Sequence, residues 1–106
     1  MIFIKQKIKG VFLIKPQLFK DDRGIFRRHF CNEEFSKDKI TSNVKQANVS
    51  INYKKGTLRG FHYQKKPYEE DKTMSCIKGE IFDIIVDLRK KSKTYMKWIS
   101  FKLSDK

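Results

Sequence analysis

His62 and Lys72 are the two side chains whose types and spacing suit them to work together chemically. His62 lies in the run Leu58-Arg59-Gly60-Phe61-His62-Tyr63-Gln64, and Lys72 follows ten residues on, at the start of another β-rich run. An imidazole accepts a proton near neutral pH, and a fixed ammonium steadies a developing oxyanion. Together they suit removal of a proton from a carbon beside a ketone, with the base taking the proton and the cation holding the enolate oxygen. A bland alternative stands next to this one. An isolated His in a strand is often a hydrogen-bonded structural residue, and one Lys among twenty carries little information alone.

Other reactive types are sparser. Asp83 interrupts the apolar run Ile81–Leu88, so it either points to solvent or is held inside the domain by a partner. Ideal alternation groups it with Ile81, Ile85 and Asp87 and leaves its direction open. Asp87 ends that run beside Arg89, which suits a structural ion pair. His29 follows two arginines, no His-x-His pair occurs, and no set of three protein ligands suggests zinc or iron. Cys31 and Cys76, 45 positions apart, match no metal or redox spacing and read as free, mostly buried thiols of a reducing compartment.

The elements that must position these groups are short and β-rich. Val11–Lys15 is closed by Pro16, Lys20–Gly24 is a polar turn, and Ile25–Phe30 alternates large and charged side chains. The one helix is expected at Asn32–Lys39, with Asn32 as its cap, Glu33 and Glu34 in its first turn, and Lys37 and Lys39 in its last. From Val44 to Tyr53 the alternation is clear. Ala47, Val49, Ile51 and Tyr53 face one way, and Gln46, Asn48, Ser50 and Asn52 face the other, a polar row suited to a ligand cavity or to solvent. Thr57–Gln64 and Lys72–Lys78 are expected as the next strands, followed by Ile81–Leu88 and Lys97–Leu103. On an ideal strand Gly60, His62 and Gln64 share one face, and Arg59 lies on the other. Antiparallel strands joined by tight turns, with no linker or repeat, predict an all-β barrel or jelly roll.

Composition narrows the class of partner. The 106 residues allow one domain. The net charge is +13, yet twenty of the 25 basic residues are lysines scattered from Lys5 to Lys106. Scattered Lys without a reading motif argues against a nucleic-acid groove; the field serves instead to collect a small anion. No run approaches the length of a membrane span, so a cytoplasmic protein is expected.

Several segments, in order, carry a resemblance. Leu58–Gln64 resembles the signature of the dTDP-4-dehydrorhamnose 3,5-epimerase family. Asp22-Arg23-Gly24-Ile25-Phe26 resembles its Asp-x-Arg-Gly-x-Phe element, and Gln46-Ala47-Asn48-Val49-Ser50 its Gln-x-Asn-x-Ser strand. Gly79 to Arg89, followed by Ser92 and Thr94, resembles its Gly-x-x-x-Asp-x-x-Val-Asp-x-Arg region. The resemblance implies a cupin-type jelly roll, a homodimer, and no metal or organic cofactor. It implies a nucleotide-diphosphate sugar as substrate, a 4-keto-6-deoxyhexose inverted at C3 and C5 through enolates. Residue by residue, His62 matches the family's base and Lys72 its enolate-stabilising Lys. Arg23 and Arg59 match contacts to the diphosphate, and Gln46 and Asn48 match polar contacts to substrate. Asp83 is kept as a supporting group.

Two departures qualify the match. Arg28 stands where the family carries a Glu. The family's chain also continues past the position of Lys106, and its reprotonating Tyr and the Asp that orients the His lie there; neither Tyr63 nor Tyr95 replaces that acid. The sequence is therefore read as the front and middle of one jelly-roll domain, residues 1–106. The alternative is an impaired nucleotide-sugar-binding module.

Overall fold

A computed structural model describes residues 1–40 and 42–106. It contains three antiparallel ribbons of two strands each and one helix. The first ribbon pairs β1 (Ile2–Lys5) with β2 (Phe12–Lys15), Ile2 opposite Lys15 and Lys5 opposite Phe12. The second pairs β3 (Leu18–Asp21) with β4 (Gly24–Arg27). Asp21 lies opposite Gly24, leaving Asp22 and Arg23 as a two-residue turn. Gly24 leaves that turn at φ +138, a conformation that L side chains rarely adopt. The third ribbon is the longest, β5 (Glu80–Val86) against β6 (Trp98–Ser104). Its ladder runs on through Asp87, whose N–H donates to the Lys97 carbonyl at 2.9 Å and whose carbonyl accepts from Met96 N–H at 2.8 Å. Lys102 Nζ and Glu80 Oε2 add an exposed cross-strand pair at 3.0 Å.

The helix, α1 (Asn32–Lys37), is shorter than Asn32–Lys39 and capped differently from expectation. Cys31 occupies the cap position without a side-chain bond, and Asn32 is already helical. The Asn32 Oδ1 accepts weakly from Ser36 Oγ at 3.4 Å instead of from the backbone. The positive φ of Lys39, 57°, ends any continuation. At six residues the helix has no stability of its own. It is held by Phe35, only 1% exposed, whose ring meets Phe3 edge-on at 5.2 Å and Phe30 at 4.9 Å. Ile8, Phe35 and Cys76 are the buried apolar side chains among the described residues.

The central expectation requires correction. Val44–Tyr53, Thr57–Gln64 and Lys72–Lys78 do not form strands. From 43 to 78 the described backbone makes three local backbone–backbone bonds, Val44 N–H to Ser42, Thr57 N–H to Lys54 and Tyr68 N–H to Lys65. Alternation gives a segment the right faces, but a strand exists only by pairing. Here each of the six strands is already paired within its own ribbon. The all-β class holds, while no closed barrel forms among the described residues. The radius of gyration is 15.4 Å, against ~13 Å for a compact domain of about this length.

Candidate active site

The residues singled out for chemistry lie mostly on the unpaired central segment. His62, Gln46, Asn48 and Arg59 are exposed. Lys72 is also exposed, and its Nζ lies 2.9 Å from Glu70 Oε1. The cation assigned to an enolate oxygen thus already has a carboxylate neighbour in the ligand-free chain. A pair of this exposure is worth at most about 1 kcal/mol, so an anionic ligand can displace it.

Arg59 is fixed through Asn52, whose Oδ1 accepts from Arg59 Nε at 2.7 Å. That bond leaves the terminal guanidinium nitrogens available for a planar anion. Gly60, at φ +134, removes the strict alternation that an ideal strand would impose between Arg59 and His62. Opposite facing is therefore not forced on them.

Arg23 sits at the tip of the β3–β4 hairpin. Its Nη2 and Nε donate to Asp21 Oδ2 at 2.7 and 3.2 Å, and its backbone N–H donates to Asp21 Oδ1 at 3.0 Å. The Arg23 guanidinium holds the Asp21 carboxyl below its ordinary pKa. An open groove of about 500 Å³ runs along this hairpin, lined by Lys20, Arg23, Phe19 and Phe26 among others. Arg28 turns to Glu34, with Nη1 to Oε1 at 2.7 Å, and the N-terminal amine meets the same carboxylate. Amine first and Arg28 second, these partners lower the Glu34 pKa.

Asp83 is half-buried on the face of β5 shared with Ile81 and Ile85, and it makes no ion pair among the described residues. Asp87 is the opposite case. It is 3% exposed and forms the ion pair expected with Arg89, from Nε to Oδ1 at 2.8 Å and from Nη2 to Oδ2 at 2.9 Å. Ser92 Oγ and Thr94 Oγ1 each donate to Oδ2 at 2.6 Å. Arg89 above all, with both hydroxyls, drives the Asp87 pKa far below the carboxylate range despite burial. This cluster ties Arg89, Ser92 and Thr94 of the 87–97 loop to the end of β5.

One contact escaped sequence reasoning: His29 Nε2 lies 2.9 Å from Ser75 Oγ, tying the chain after β4 to the segment that carries Lys72. The two residues are 46 apart, and no local pattern marks the pair.

The sequence profile described as dTDP-4-dehydrorhamnose 3,5-epimerase matches residues 5–106. The chain belongs to the dTDP-4-dehydrorhamnose 3,5-epimerase family. An epimerase of this name from Shigella flexneri is 41% identical over 98% of the chain, and one from Methanothermobacter thermautotrophicus is 40% identical over 97%. The chain spans only 58% and 55% of those two epimerases. Among solved structures, the Bacillus anthracis epimerase with TDP and PPi bound superposes on 98% of the chain, with a TM-score of 0.94 at 36% identity. The Sulfolobus tokodaii epimerase superposes with a TM-score of 0.84 at 39% identity. The chain covers 59% of each of those two structures. The backbone path from 43 to 78, open as it is, therefore follows the family's fold. No helix among the described residues is long and apolar enough to cross a membrane.

Proposed function

We propose that residues 1–106 carry the substrate-binding and deprotonating part of a nucleotide-sugar epimerase, acting on a dTDP-4-keto-6-deoxyhexose. The observation that carries this reading is the superposition, over 98% of the chain, on an epimerase crystallised with TDP and PPi. The ketone at C4 acidifies the protons on C3 and C5. His62 takes one of them, the C–H electron pair moves toward C4, and the ketone oxygen becomes an enolate oxygen beside the Lys72 ammonium. Lys72 must exchange Glu70 for that oxygen. Arg59 and Arg23 offer guanidinium groups to the diphosphate, and Gln46 and Asn48 offer neutral donors and acceptors to nucleotide and sugar. Asp83, half-buried and without an ion pair among the described residues, is taken in this reading as a supporting group. Inversion is complete when an acid on the opposite face of the carbon returns a proton. No metal or organic cofactor takes part in this scheme. The same reading takes residues 1–106 as part of a single domain, with the working form a cytoplasmic homodimer.

A second reading follows from one observation, the exposure of His62. Exclusion of water is what gives a base and a fixed cation their leverage. The chain would then bind nucleotide sugars without turnover.

Proton NMR of dTDP-4-keto-6-deoxyglucose in deuterated water, with the purified folded chain, separates the two. Loss of the C3 or C5 signal, abolished by His62→Ala with nucleotide affinity kept, is the expected result for the enzyme. Binding without exchange in any variant is the result for the module. Exchange that persists in His62→Ala removes His62 from the role of base.

A further inference from the structure

Lys72 needs a fixed position to serve an enolate oxygen, yet the backbone–backbone bonds of its own segment are few and local. Its neighbour Glu70 sits two residues away on that segment and moves with it. Side chains must therefore tie Lys72 to the rest of the fold. The contact of His29 Nε2 with Ser75 Oγ, 2.9 Å across 46 positions, is such a tie. Ser75 stands three residues after Lys72, and three residues of chain span at most ~11 Å when fully extended. Wherever Ser75 is held, the reach of Lys72 is set.

An exposed hydrogen bond joins two segments only if its ends are already ordered, because the entropy of fixing free side chains otherwise offsets it. Both ends here meet that condition. Arg28, just before His29, pairs with Glu34 of α1 at 2.7 Å. Phe30, just after it, lays its ring on Phe35 at 4.9 Å, and Phe35 in turn meets Phe3 of β1. His29 is thus braced from both sides. At the other end Ser75 is followed by Cys76, which is buried.

We propose, resting on the epimerase reading for the role of Lys72, that His29 is a positioning residue. Braced on α1, it holds Ser75 and so sets where the Lys72 ammonium stands. His29 itself touches no substrate in this arrangement. Either protonation state keeps the bond, since a neutral ring donates or accepts at Nε2 and a charged ring donates. The six-residue helix acquires a purpose by the same route, as the base of the brace.

The test compares His29→Ala and Ser75→Ala with His29→Gln, whose amide offers both a donor and an acceptor. Nitrogen-15 relaxation of the ligand-free chain reads the tie without substrate. Order parameters of the 72–76 amides are expected to fall from ~0.85 to below ~0.6 in both alanine variants and to be kept in the glutamine variant. Unchanged amide shifts in β5 and β6 show that each variant folds. Proton exchange at C3 or C5 of dTDP-4-keto-6-deoxyglucose should slow by ~10–100-fold in either alanine variant. Affinity for dTDP should stay as it was, and the double alanine variant should be no slower than the single ones. A general loosening of the fold would weaken nucleotide binding as well. Order parameters that stay high in both alanine variants overturn the proposal, as does a loosened 72–76 segment with an unchanged exchange rate. A chain in which the tie loosens as expected, while no form exchanges a sugar proton, keeps His29 as the brace of 72–76 and counts against the epimerase reading instead.

Discussion

Asp87 shows how far one carboxylate can be committed to structure. Its charged form receives Arg89, Ser92 and Thr94 in the fold and only water in the unfolded chain, so its pKa is depressed on folding. The stabilisation is fully present above the unfolded pKa near about 4 and is lost as pH falls below it toward the folded value. Asp87→Asn is expected to lower stability at pH 7 by about 2–4 kcal/mol and to flatten the acid limb of unfolding below about pH 4, as thermal melts across pH would record. Lys72 lies at the other extreme, with an exposed partner. Glu70→Gln should free it for the enolate oxygen and raise the rate of C3 or C5 proton exchange by up to ~5-fold, read by proton NMR in deuterated water; slower exchange would mean that Glu70 positions Lys72. The Asp87–Arg89 pair was legible in the sequence, because an acid closing an apolar strand beside Arg has few other uses. The anchoring of Arg59 on Asn52 was not legible, because it depends on a turn at Lys54–Gly56 and a positive φ at Gly60 that bring distant positions together.

Among the elements, α1 depends most on its neighbours. Six residues cannot sustain a helix in water, so Phe35 against Phe3 and Phe30 holds it to β1. Phe35→Ala should cost about 3–5 kcal/mol and remove the helical signal in circular dichroism before the β signal. A fall in both together would show that α1 and the ribbons unfold as one unit. Period-two patterns made β4, β5 and β6 visible in the sequence to within a few residues. β1 went unread, since Ile2–Lys5 is short and lacks clear alternation. For 44–53, 57–64 and 72–78 the pattern was present and the pairing absent. Alternation reports which faces a segment has, and pairing depends on another chain segment being there to receive it.

At the scale of the whole molecule, a formal charge of +13 coexists with an unusually uncovered apolar surface. Charge of one sign keeps such chains apart, while exposed rings draw them together. Lower ionic strength should therefore favour dispersed chains, and added salt should promote association, which light scattering along a salt series would follow. A hydrophobic dye such as ANS should fluoresce strongly with the chain alone, as it does with loosely packed states. Weak fluorescence would indicate that the central segment has already found cover.

The same bare backbone has a consequence for the protein's lifetime. Proteases engage their substrates as extended strands, and 43–78 offers that shape without first having to unfold. Lys54, Lys55, Lys65 and Lys66 lie within it. Trypsin should nick there first and leave the β5–β6 ribbon as a longer-lived fragment, and electrophoresis with mass mapping of the products would record the order of cleavage.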